Sequence, residues 1–276
     1  MAVVGRWQLH PLHLYLVHSY LELDDPALPL EVEHFGHTTQ QVGELARREA
    51  ATMQAAGILV GDEIAPPLAE ALTVLSTPYL WVDSLWFPEA GDQAMWRTVA
   101  VVTEGNRVVL GVQAPGESER FGGMLTVEVH EKVTLSQALL PTLPPAPPGN
   151  RGAATVPASS FRDEGREQAS EQGGFLRPAQ TSPATRSSSG DRQLALYRAI
   201  GEAQHVRVGQ FAANMRDRGG RIRRSRVVKW FDNAEPDGRY LDHHARGDTG
   251  EWMYSATPAD ARRIGNTIEE LVASVR

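Results

Sequence analysis

Histidines and carboxylates are the residues that would do chemistry in this chain. His10, His13, His18, His34 and His37 crowd its first forty positions. A zinc site needs several such donors converging, completed by cysteine, an HExxH helix or a compact carboxylate set. No cysteine occurs in the 276 residues, and His130-Glu131 is followed by Thr134 where a second ligand would stand. Asp242, His243 and His244 offer acid–base partners, yet adjacent strand residues point to opposite faces, so at most one histidine shares a face with a given partner. GxSxG, P-loop and GxGxxG patterns are all missing. Serine hydrolysis, phosphate binding and dinucleotide binding therefore have no residues to carry them. The expectation is a protein that is not an enzyme, with no catalytic residue, metal ligand or cofactor.

Charge points elsewhere. The net charge is −7, but residues 1–140 carry 7 basic and 18 acidic side chains (−11), 141–190 carry 5 and 4 (+1), and 191–276 carry 15 and 12 (+3). The basic excess gathers in Arg216, Arg218, Arg221, Arg223, Arg224, Arg226 and Lys229. Clustered arginine beside Gly219-Gly220 suits a hairpin with a solvated basic edge, a protein-binding surface or a nucleic-acid contact. An edge strand rich in charge also resists unwanted pairing. The absence of cysteine fits a reducing compartment. No apolar run reaches the ~18 residues of a membrane span and no secretory leader is evident, so a cytoplasmic location is expected.

The elements that must position these side chains follow from periodicity. Arg221–Pro258 reads as strand, turn, strand, turn, strand, with Asp237-Gly238 and Arg246–Gly250 as turns. Thr257 and Pro258 look like the N-cap and first residue of a closing helix whose Ile264, Ile268, Leu271, Val272 and Val275 recur at intervals of three and four. Earlier in the chain, Trp7–Leu9 suits a short strand and Pro11–Leu23 a buried helix. Helices are also expected from Gln40 to Ala56 and from Asp62 to Ser76. Alternating or continuous apolar runs then predict strands at 79–87, 96–103, 107–113 and 124–130, closed by a capped helix at Thr134–Leu140. Trp230, Phe231, Trp252 and Tyr254 sit in alternating strands and are expected in the core.

Residues 141–190 are rich in Pro, Ser and Gly with few large apolar side chains, which predicts a mobile linker. Within it, 156–172 is the one stretch suited to a local helix. The linker separates an N-terminal α+β half, 1–140, from a C-terminal half, 191–276. Helix, four strands and closing helix recur in the same order in both, which suggests an internal duplication within one fold.

Several motifs carry a resemblance. Leu9-x-Pro11-Leu12, Pro29-Leu30-x-Val32 with Gly36, the strand pair RTVAVVTEGNRVVLG, and above all Trp230-Phe231-Asp232, Asp237-Gly238-Arg239-Tyr240-Leu241, Trp252 and Thr257-Pro258-Ala259-Asp260 resemble the EspG family. These are type VII (ESX) secretion-associated chaperones of mycobacteria and related actinobacteria. The resemblance covers nearly the whole chain outside the linker. It implies a cytosolic α+β protein, a central antiparallel sheet flanked by helical bundles, that binds PE–PPE heterodimers and keeps them soluble for secretion. A nucleic-acid-binding regulator using the Arg216–Lys229 stretch is the alternative. Strand alternation places Gln210, Asn214 and Arg216 on one face of a strand, with Arg226 beside them, rimming an apolar patch of Phe211, Met215 or Ile222 according to register. These seven residues form the expected partner-binding surface.

Overall fold

Apolar alternation and turn chemistry become the elements of a computed structural model that describes residues 2–36, 38–91, 93–117, 122–161 and 189–276. Strand β1 (Ala2–Leu9) leads into helix α1 (Pro11–Tyr20), started by Pro11 in its first turn and by the His10 ring accepting the Leu12 amide. Helix α2 (Thr39–Ala55) is capped by the Thr38 hydroxyl, which accepts the Gln41 amide. The short strands β2 (Leu59–Val60) and β3 (Glu63–Ile64) pair with each other before helix α3 (Pro66–Ser76), where the two prolines occupy the opening turn that has no need of their amides. Strands β4 (Leu80–Phe87), β5 (Trp96–Thr103), β6 (Arg107–Pro115) and β7 (Gly122–Glu131) follow as an antiparallel meander. Gly105 and Asn106, at φ 72° and 57°, make the tight link between β5 and β6. Helix α4 (Leu135–Leu139) opens with a reciprocal capping box between Thr134 and Gln137.

Strand β8 (Ala154–Pro157), helix α5 (Ser189–Gly201), strands β9 (His205–Arg216), β10 (Ile222–Arg224), β11 (Val228–Asn233), β12 (Arg239–Arg246) and β13 (Trp252–Pro258) and helix α6 (Ala261–Val275) complete the described elements. Thr257 and Pro258 do not start the closing helix. They pair with Leu241 and Tyr240 as the last residues of β13, and α6 begins at Ala261. The ladder keeps these two residues extended where a cap would have ended the strand. The architecture is α+β, with extensive antiparallel sheet and several helices. Among the described residues no helix is long and apolar enough to cross a membrane.

The chain divides into two compact units. The first comprises residues 1–145, 207–227 and 261–276, and the second 146–206 and 228–260. In the first, strands lie in the order β1, β7, β6, β5, β4, β9, with β10 paired to residues 214–216 of β9. One sheet face presents Trp81, Val99, Val101, Val109, Leu125 and Val127, which pack with Leu14 and Val17 of α1 and Leu68, Leu72 and Leu75 of α3. The opposite face, with Val82, Ala100 and Leu110, meets α4 and α6. All five periodic apolar residues of α6 are buried, as its spacing predicts. Burial of so many large side chains is the main stabilising term here, at ~25 cal/mol per Å² of apolar surface removed from water.

In the second unit β11, β12, β13 and β8 form an antiparallel ladder. Strand β8 lies inside the stretch whose composition suggests a linker, and its Ala154 and Val156 are fully buried. Residues 147–151 are also built in. Arg239 donates its amide to the Pro147 carbonyl, Gly149 donates to Arg239, and Asn150 donates to the Asp237 carboxylate. A Cβ at Gly149 would overlap the Tyr240 ring, so glycine is what lets this segment lie against that ring. The rest of that stretch, residues 162–188 with most of the local helix expected over 156–172, lies outside the described residues. Trp230 is buried at 1% exposure, as expected, but Trp252 is 42% exposed. It stands at the first position of β13, where the Arg246 guanidinium covers its ring at 4.9 Å instead of a core.

Candidate partner-binding surface

Strand register decides which side chains can act together in the first unit. β4 and β9 run antiparallel, with Trp81 opposite Asn214, Asp83 opposite Ala212 and Leu85 opposite Gln210. Directly opposed residues share a face, so Gln210, Ala212, Asn214 and Arg216 lie with Tyr79, Trp81, Asp83 and Leu85. β10 continues the pattern, placing Ile222 opposite Arg216 and Arg224 opposite Asn214. Phe211 and Met215 point to the other face. Phe211 is fully buried, and Met215 borders a groove with Val74, Tyr79, Leu80 and Val101.

The expected patch is therefore brought together in part. Gln210, Asn214, Arg216 and Ile222 share one face, whereas Phe211 and Met215 cannot serve as its apolar centre. Ile222, 49% exposed, lies on that face opposite Arg216, and Tyr79, 61% exposed, stands at the neighbouring position of the β4 side. Arg226 is exposed just beyond β10. Arg216 is half-buried and donates from Nε to the Pro78 carbonyl, 3.3 Å away.

Asn214 is buried at 2% and belongs to a closed polar network. Its Nδ2 donates to Asp83 Oδ2 at 2.6 Å, while Arg224 grips the same carboxylate through Nη1 at 2.6 Å and Nη2 at 3.0 Å and also donates to Asn214 Oδ1 at 2.9 Å. A carboxylate in an apolar strand is stable only with such partners. The two-pronged contact fixes the β9–β10 hairpin against the sheet. At the hairpin tip the Asp217 carboxylate accepts the amides of Gly219 and Arg221, and Gly220 takes φ 82° to close the turn. The pairing of Asp83 with Arg224 escaped the sequence reading, which counted Arg224 only among the basic residues of the hairpin. The available signal was a lone charge inside the run LWVDSLWF, which demands a cation from another strand.

Several of the described histidines have structural partners. His13 Nε2 lies 3.3 Å from Glu49 and His130 Nε2 lies 2.8 Å from Glu128, while His205 Nδ1 is 2.7 Å from Asn233 Oδ1. Burial pushes the His18 imidazole down to about 4, against a weaker upward pull from the Asp25 carboxylate. Among the described residues no group of three or more His, Asp or Glu is placed to hold a metal.

Exposed Ile222 and Tyr79 thus lie beside arginines on a sheet face that the buried Asp83 carboxylate braces. The chain belongs to the EspG family, whose model matches residues 10–270. No curated protein matches the sequence significantly. Among solved structures it is similar to the Mycobacterium tuberculosis type VII secretion system chaperone EspG5, determined in complex with a PE25–PPE41 dimer. The TM-score is 0.64 at 17% identity, covering 99% of this chain and 97% of that one.

Proposed function

We propose that this protein is a cytoplasmic chaperone of a type VII secretion system, without enzymatic activity, that binds a PE–PPE-type heterodimer and keeps it soluble before export. Family membership across residues 10–270 carries the reading, and the likeness to a chaperone solved with its PE–PPE dimer supports it. The two α+β halves, 1–140 and 191–276, would descend from one duplicated unit. The client would dock on the face of β9 and β10 that presents Gln210, Arg216, Ile222 and Arg226. Asn214 would hold that face in shape without touching the client. Such a surface is preformed, so binding needs no reordering of the sheet and release needs no covalent step.

The test is co-expression of the chain with a PE–PPE pair. The expected outcome is a soluble complex that survives gel filtration, and a pair that precipitates when the chaperone is omitted. A folded Arg216→Glu/Ile222→Asp variant should lose the complex. Retention of the pair by that variant would move the docking surface elsewhere on the protein, and failure of any pair to co-purify with the wild-type chain would count against the chaperone reading itself.

A further inference from the structure

The β9–β10 hairpin concentrates positive charge on a protein of net charge −7. Among the described residues, Arg224 is the one hairpin arginine paired with a side-chain carboxylate, Asp83. The Asp217 carboxylate accepts the two turn amides, and Arg223 donates to the Arg276 main-chain oxygen at 3.3 Å. Arg218, Arg221 and Arg226 are exposed and face no carboxylate among the described residues. Like charges crowded on one short hairpin repel one another, and the single Asp217 carboxylate at the tip offsets only part of this. The hairpin is nevertheless held rigidly, because the Asp83–Asn214–Arg224 network clamps its base. A fixed surface of net positive charge is complementary to an anionic one.

Two features of the same face decide what kind of anion. Ile222 and Tyr79 stand exposed beside Arg216, so the partner must offer apolar side chains as well as negative charge. Nucleic acid offers phosphate in a regular array and would meet the field of a chain that is acidic overall. A protein segment with carboxylates flanking an apolar anchor satisfies both requirements at once.

We infer that the client's docking segment is acidic, with carboxylates that meet Arg218, Arg221 and Arg226 around an apolar residue seated against Ile222 and Tyr79. This rests on the chaperone reading above and adds the chemistry of the segment recognised. The arginines steer encounter and fix orientation, whereas the apolar contact holds the complex once formed.

The experiment measures association and dissociation rates between the full chain and a purified PE–PPE heterodimer between about 50 and 300 mM NaCl, where screening of exposed charges changes most. Arg218→Glu/Arg221→Glu/Arg226→Glu should slow association by about tenfold or more at low salt and flatten its salt dependence, with a smaller change in dissociation. The triple lysine variant, which keeps the charge, should retain most of the rate. All three positions are exposed, and an unchanged melting temperature will show that the fold is intact. Tight binding by the wild-type chain with a rate indifferent to salt and to the glutamate variant would overturn the inference and leave the chaperone reading standing. Absence of any binding by the wild-type chain would overturn both. A gel shift with RNA or DNA at physiological salt that the glutamate variant abolishes, with client rates unchanged, would assign the hairpin to nucleic acid and overturn the inference alone.

Discussion

Arg239 sits directly across the β11–β12 ladder from Asp232 and holds its carboxylate with two parallel hydrogen bonds, Nε to Oδ1 at 2.7 Å and Nη2 to Oδ2 at 2.8 Å. Both residues are less than 5% exposed, and the guanidinium also lies 4.3 Å from the centre of the Trp230 ring. Removing one partner strands a buried charge. Arg239→Ala is expected to cost roughly 3–5 kcal/mol in urea unfolding, more than the net worth of the pair itself. A loss below about 1 kcal/mol would mean that water reaches Asp232 once the arginine is gone.

The two tryptophans of the second unit should behave differently. Trp230→Ala empties a core site and should destabilise by roughly 3–5 kcal/mol. Trp252→Ala removes an exposed ring and a cation–π contact and should cost about 1 kcal/mol or less. Equal losses in thermal or urea unfolding would contradict the different burial of the two rings.

Much of this fold was legible in periodicity. The meander β4–β7, the capping box at Thr134 and the five-residue apolar stripe of α6 all lie where spacing put them. Trp252 and β8 were not legible, for different reasons. Alternation shows that Trp252 shares a face with Tyr254, but not that the strand's first residue runs past its cover. In residues 146–157 the apolar content is too low to signal a strand. Their order comes from partners more than eighty residues away, Asp237, Arg239 and Tyr240, which no local pattern can show. The candidate site was half-legible for a related reason. Alternation grouped Gln210, Asn214 and Arg216 and by itself turns Phe211 to the other face, while the place of Ile222 beside Arg216 depended on the pairing of β10 with β9.

The hold of Asp237, Arg239 and Tyr240 on residues 147–151 is itself testable. Gly149→Ala would force a Cβ into the Tyr240 ring, and Tyr240 also donates its hydroxyl to Asp237 Oδ1 at 2.8 Å and accepts the Arg151 amide at 3.0 Å. The substitution should destabilise by about 1–3 kcal/mol, through overpacking and loss of these bonds. Limited proteolysis should then cut near residues 146–157 sooner than in the wild-type protein. Unchanged melting and cleavage would show that the segment is not held as described.

His18 sets a pH dependence. Its imidazole is held down to about 4 in the folded protein by burial, against an ordinary value of 6.5. The unfolded chain therefore takes up the proton first as pH falls, so this group's contribution is complete above about 6.5 and is lost progressively down to about 4. The loss should be on the order of 3 kcal/mol across that window. A His18→Gln variant should show a flatter stability profile between about pH 7 and pH 4 than the wild-type chain. Parallel profiles would indicate that His18 titrates in solvent.

Asp83 and Arg224 should couple strongly, since one is buried and the other clamps it through two nitrogens. In a double-mutant cycle with Asp83→Asn and Arg224→Gln, the interaction energy should exceed about 1 kcal/mol. Each single variant should also open the β9–β10 hairpin to protease near Gly219-Gly220. A near-zero coupling with an intact hairpin would mean that the turn holds itself without the network.

Hydrogen–deuterium exchange of the chain with and without a PE–PPE heterodimer tests the central claim most directly, because it reports both whether the pair binds and where. The expected result is slowed exchange in residues 214–226 and at Tyr79–Asp83, with little change along β12 and β13. Protection confined to residues 240–256, or no protection anywhere at saturating heterodimer, would contradict it.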